Sequence, residues 1–94
     1  MNLEIVDDPE QNAFLAVNAE GDLVGSVMYQ PRPAYLDVWH TGVEPDFEGL
    51  GVAGKMTQGV LEMIRTKGQK VFPRCPYMEH WLQKHPEFDD VVYK

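Results

Sequence analysis

Up to Val43 the apolar residues come in short alternating or β-branched runs separated by turn formers, which is the pattern of strands and not of helices. Leu3–Val6 reads as a short leading strand and Asn12–Asn18 as a second. Ala19-Glu20-Gly21-Asp22 is a turn by composition, and Leu23–Tyr29 returns as the hairpin partner. Pro31-Arg32-Pro33 removes two backbone donors and closes that strand. Tyr35–Val43 then alternates, which places Leu36, Val38 and His40 on one face and Tyr35, Asp37, Trp39 and Thr41 on the other. Sequential strands joined by tight connections predict an antiparallel meander.

The period changes after Val43. Glu44–Gly51 is a loop, with a proline and two glycines against strand continuation. From Val52, Ala53, Met56, Val60 and Ile64 form one helical stripe flanked by Leu61 and Met63. Gly68, just after Lys67, stands where a helix ends on a glycine. Lys70-Val71-Phe72 is a short strand stopped by Pro73, and a strand–loop–helix–strand order makes it parallel to Tyr35–Val43. A short helix around Tyr77–Lys84 and an aromatic-rich tail follow. The expected fold class is mixed α/β: an antiparallel β-meander, then a loop–helix–strand unit, then a short C-terminal helix.

Composition narrows this picture without redrawing it. At 94 residues one domain spanning 1–94 is expected. No apolar run approaches the roughly 20 residues of a membrane span, and Met1-Asn2-Leu3-Glu4 lacks a basic, apolar signal region, so a cytoplasmic protein is expected. Cys75 is the only cysteine, which excludes an internal disulfide and a cysteine-based zinc site. The net charge of −7 is unevenly spread. Residues 1–50 carry ten acids and one base, Arg32, whereas residues 51–94 carry five acids and seven bases. That balance argues against a nucleic-acid backbone as partner. The second half could hold one small polyphosphate and the first half favours a cationic substrate, although plain solvated surface explains the charges equally well.

The chemistry concentrates in Glu48-Gly49-Leu50-Gly51-Val52-Ala53-Gly54-Lys55. Glycines allow close backbone approach, and the first helical N–H groups lack internal partners, so such a turn can receive a phosphate. Gly49 to Gly54 matches G-x-G-x-x-G, yet Gln69, Lys70 and Val71 stand where a dinucleotide fold needs an acid for the ribose. The Walker A spacing is not met. A glycine-rich turn that binds nothing is the plain alternative.

This segment resembles the acyl-CoA signature Q/R-x-x-G-x-G/A of the GNAT superfamily of N-acetyltransferases, aligned on Glu48 to Ala53. With His40-Thr41-Gly42-Val43, Pro73-Arg74-Cys75-Pro76-Tyr77 and Lys84-His85-Pro86, the chain is similar to the small one-domain members of that superfamily over about residues 10 to 90. The resemblance implies a GNAT-like fold and acetyl-CoA as co-substrate, with no metal. It also implies a pyrophosphate held by backbone amides from Leu50 to Lys55, and a pantetheine arm along the strand through Thr41 and Val43. Glu48 departs from the usual Gln or Arg and would repel a pyrophosphate unless its carboxylate faces solvent. The implied cofactor-binding set is Thr41, Val43, Glu48, Gly49, Leu50, Gly51, Val52, Ala53, Gly54 and Lys55.

Acetyl transfer to an amine requires a deprotonated amine, a polarised carbonyl and a proton for the departing thiolate. Cys75, just past the short strand, is a candidate nucleophile if Arg74, His40 or His80 lowers its pKa, or a pocket-lining thiol, or simply core. His40 is a candidate base, although its strand face makes a core histidine the commoner explanation. Tyr77 is a candidate proton donor, with helix packing as the alternative. His40, His80 and His85 fit no zinc spacing. The expectation is an acetyl-CoA-dependent N-acetyltransferase acting on an amine, small molecule or protein lysine, as a monomer or weak homodimer. The rival is a non-catalytic acyl-CoA-binding module.

Overall fold

The computed structural model describes residues 2–94. Strands β1 (Glu4–Asp8), β2 (Ala13–Val17), β3 (Leu23–Pro31) and β4 (Leu36–Val43) run as an antiparallel meander. Asn18 builds the β2–β3 turn, its Oδ1 accepting the N–H of Glu20 at 3.1 Å and of Asp22 at 2.8 Å. A 3₁₀ turn (Pro45–Phe47) leads to helix α1 (Val52–Thr66), and β5 (Val71–Pro73) then completes a sheet of order β1-β2-β3-β4-β5. As its crossover demands, β5 is parallel to β4, in the register Leu36 with Val71 and Val38 with Pro73.

Helix α1 lies on one face of the sheet. Its Val52, Met56, Val60, Leu61 and Ile64 are buried, and most of them join a core with Phe14, Val27, Tyr29 and Val38. The helix ends as a Schellman turn, in which the Gly68 N–H reaches the Arg65 carbonyl and the Gln69 N–H the Ile64 carbonyl, both at 3.0 Å. Helix α2 (Pro76–Lys84) contributes Met78 to the same core. The tail is more ordered than its composition suggests. Pro86–Val91 forms a 3₁₀ helix started by its proline. Arg65 of α1 clamps it, donating to both Asp90 oxygens at 2.8 and 2.7 Å while its guanidinium lies 4.6 Å from the Phe88 ring centre. No helix among the described residues is long and apolar enough to cross a membrane.

Strand β4 departs from strict alternation. His40 pairs with Met28 but Val38 pairs with Tyr29, so Trp39 is an extra residue in the ladder, a β-bulge. The bulge reverses the parity of everything after it. Thr41 pairs with Val27 and Val43 with Gly25, which puts Thr41 and Val43 on the core face with Leu36 and Val38. His40 therefore lies on the opposite face from Leu36 and Val38, exposed, rather than sharing theirs. Its ring folds over Gly42: a Cβ added to that glycine would sit 2.9 Å from His40 Nε2.

Candidate functional site

Beyond Val38 the β4–β5 ladder stops. The Val38 carbonyl accepts the N–H groups of both Arg74 and Cys75 at 2.9 Å, which turns the chain out of β5 and into α2. Arg74 is then held sideways by Asp37, Nε to Oδ1 at 2.8 Å, with Arg32 a longer ion pair at 3.8 Å on the same carboxylate. Asp37 is only 7% exposed, so its two guanidinium partners compensate the burial of its charge.

The loop after β4 wraps back to the start of α1. Gly49 and Gly51 adopt φ of +79° and +74°, a left-handed conformation that costs a side chain about 1–2 kcal/mol. With Gly51 as N-cap, no side chain among the described residues caps α1, and the N–H groups of its first turn point out of the helix end with no internal acceptor and make the potential there positive. A cavity of about 240 Å³ opens beside this turn. The end of β4 (Val43) and the loop residues Phe47, Glu48, Gly49 and Gly51 form part of its wall. Val52, Ala53 and Gly54 of α1, and Tyr77 of α2, complete it. Most of the sequence-derived phosphate segment is thus assembled on one cavity. Leu50 is 58% exposed and lies off the cavity wall, and Lys55 borders a separate cleft with Asn2, Leu3 and Gln58.

Tyr77 reaches that cavity from the α2 side, and Cys75 precedes it as the N-cap of α2. The Tyr77 hydroxyl and Trp81 Nε1 lie over the bare Cα of Gly54, 4.0 and 3.8 Å from where a Cβ would be. Burial raises the Tyr77 pKa; the Thr57 hydroxyl draws it down and the Cys75 thiolate pushes it up, with the net above the usual phenol value. Cys75 is 6% exposed, and its Sγ lies 3.4 Å from Thr41 Oγ1. Burial pushes its thiol up, but hydrogen bonds from the Thr41 hydroxyl and from backbone N–H groups of Met78, Tyr77 and Thr41 outweigh it, leaving the pKa below the ordinary thiol value. The cause differs from the expected one. Arg74 is engaged by Asp37, and His40 is on the far face of the sheet. Instead Cys75 is the N-cap of α2, where backbone N–H groups converge.

His40 is not brought to Cys75 or Tyr77, so the base role does not gather around it. His85 stacks on Trp81 at 3.7 Å and pairs with Glu87 at 3.2 Å. Among the described residues no group of three or more His, Cys, Asp or Glu could hold a metal ion. Phe47, Trp81 and Thr57 belong to this neighbourhood although the chain's periodicity does not single them out. Thr57 is fully buried on α1, and its hydroxyl has no hydrogen-bond partner among the described residues.

Comparison with known proteins points to one family. Residues 12–91 match the family model described as GCN5-related N-acetyl-transferase. A mycothiol acetyltransferase of Paenarthrobacter aurescens is 36% identical over 67 residues, covering 65% of this chain. The match takes in only 20% of that protein, so this chain spans about a fifth of its curated relative. The NMR solution structure of a Staphylococcus aureus protein described as GCN5-like superposes with a TM-score of 0.69 and 28% identity, covering 98% of this chain and 89% of that one.

Proposed function

The chain belongs to the GCN5-related N-acetyltransferase family, and from that premise we propose that it transfers an acetyl group from acetyl-CoA to an amine, either a small molecule or a protein lysine. The observation that carries this reading is the uncapped first turn of α1 facing a cavity that it shares with Tyr77. The donor set fits an anionic pyrophosphate: N–H groups of Val52, Ala53 and Gly54, reached through the left-handed Gly49 and Gly51. Along β4 from Trp39 to Val43 the backbone has β3 on one side and no strand on the other, so an extended acyl arm can pair there.

Acetyl-CoA, when bound, supplies an activated thioester. Tyr77 holds a phenolic proton at Oη, and its raised pKa keeps that proton in place at neutral pH for a departing thiolate. Cys75 lines the thioester end, its thiol held by Thr41. Glu48, at the cavity wall, opposes the phosphate charge and limits affinity.

Calorimetry with CoA, followed by release of free CoA from acetyl-CoA in the presence of an amine panel, tests the proposal. Binding with amine-dependent release is the expected result. Binding without release under any amine leaves an acyl-CoA-binding module, and no saturation at millimolar CoA overturns both readings.

A further inference from the structure

Thr57 is a polar side chain that the site described so far does not use. It is fully buried, on the third position after Gly54 along α1, so the two share a helix face. Its Oγ1 has no hydrogen-bond partner among the described residues. A helical threonine ordinarily settles such a hydroxyl on the carbonyl four residues back, here Ala53, and this one does not. Two polar groups arrive over the same face, Trp81 Nε1 at 3.8 Å and the Tyr77 hydroxyl at 4.0 Å from the Gly54 Cβ position, and the phenol is the one that can use a donated proton. The two hydroxyls stand short of hydrogen-bond geometry, yet near enough that Thr57 acts on the Tyr77 phenol. Hydrogen bonds of catalytic groups commonly tighten only when the ligand is seated.

We propose that Thr57 is a positioning residue for Tyr77: its hydroxyl donates to Tyr77 Oη and thereby aims the single phenolic proton into the cavity at the α1 N-terminus. This rests on the acetyl-transfer reading for its purpose, though not for the contact itself. The direction of the bond follows from counting protons. Tyr77 has one, and if Thr57 accepted it, none would face the cavity. With Thr57 as donor, the phenol is oriented and the negative charge that forms on Oη after proton transfer is stabilised.

The test uses Thr57→Val, Thr57→Ser, Tyr77→Phe and the Thr57→Val/Tyr77→Phe pair. Val keeps the shape and removes only the hydroxyl, and Ser returns it if Val disturbs folding. In protein labelled with ¹³Cζ-tyrosine, the Tyr77 signal is assigned by its loss in Tyr77→Phe and titrated without ligand. Cys75 is the charged group that acts on Tyr77 and is unchanged throughout. Thr57→Val should move the Tyr77 titration up by about half a pH unit, and Thr57→Ser should not. In turnover, Thr57→Val should lower kcat about tenfold with KM for acetyl-CoA unchanged, Ser should rescue it, and Val should add nothing to Tyr77→Phe. An unmoved Tyr77 titration in Thr57→Val overturns the proposal, as does a moved titration with unchanged kcat. If the wild-type chain transfers no acetyl group at all, the acetyl-transfer reading falls, and the titration still decides the contact.

Discussion

Two glycines offer a controlled test of where the ligand sits. Gly51 and Gly68 have almost the same backbone, φ +74° and +71°, and a Cβ added at either meets nothing within 4 Å. They differ in place, since Gly51 caps the start of α1 and Gly68 follows its end, roughly 22 Å apart at 1.5 Å per residue over the helix. Gly51→Ala and Gly68→Ala should each cost about 1–2 kcal/mol of left-handed strain. At about 4–8 °C per kcal/mol for a domain of this size, both melts should fall by roughly 4–16 °C, and by similar amounts. Only Gly51→Ala should affect CoA. Its methyl stands between the ligand and the first-turn N–H groups, and losing one charge-assisted hydrogen bond, worth about 1.5–3 kcal/mol, weakens binding about tenfold to a hundredfold. Calorimetry at 15 °C, well below either melt, reads affinity separately from folding. Equal loss of CoA affinity in the two variants, or wild-type affinity in Gly51→Ala, refutes the placement of the phosphate site.

Three further outcomes are expected. Glu48→Arg should tighten CoA binding by about 0.3–1 kcal/mol at low salt, with the gain shrinking as salt rises; no change at low salt means the side chain points away from the ligand. Alkylation of Cys75 by iodoacetamide should turn on at a lower pH than for an ordinary thiol, and Thr41→Val should move that onset upward, because the Thr41 hydroxyl is the strongest of the bonds lowering this pKa. Burial, together with its hydrogen bond to Asp7 at 2.8 Å, raises the Tyr29 pKa to about 12, so the folded state holds this proton longer than the unfolded chain does. Stability from it is full below about pH 10 and is lost as pH climbs toward 12, a decline of roughly 2–3 kcal/mol in the unfolding free energy from urea titrations that Tyr29→Phe should remove.

The strands, the helix and the parallel last strand are legible in the sequence because each is written in its own period or crossover rule. What escaped is decided between distant residues. Nothing in the alternation of Tyr35–Val43 announces an extra residue at Trp39; the bulge exists only in the register with Met28 and Tyr29. The expected neighbour Arg74 is taken by Asp37, a residue 37 positions earlier, so the charge that adjacency offered Cys75 is spent elsewhere. Thr57 reads as one polar residue in an amphipathic helix, and its burial depends on α2 arriving with Tyr77. The tail did carry a signal, Pro86 at a helix start.

The bulge at Trp39 also explains how so short a chain combines a closed core with an open site. With strict alternation, Thr41 would face away from α1, and the thiol of Cys75, which is packed in the core, would meet His40 instead. One inserted residue exchanges them. It brings a hydroxyl that accepts the Cys75 thiol's hydrogen onto the core face and sends the imidazole to the outer face. At the same level of the sheet, the Val38 carbonyl takes both the Arg74 and Cys75 N–H groups and ends the ladder with β5. The backbone edge beyond Val38 is thereby left without a neighbouring strand just where α1 presents its free N–H groups. The chain's own hydrogen bonds close the lower half of the β4–β5 pair, and the upper half of β4 keeps its outer backbone edge without a strand among the described residues.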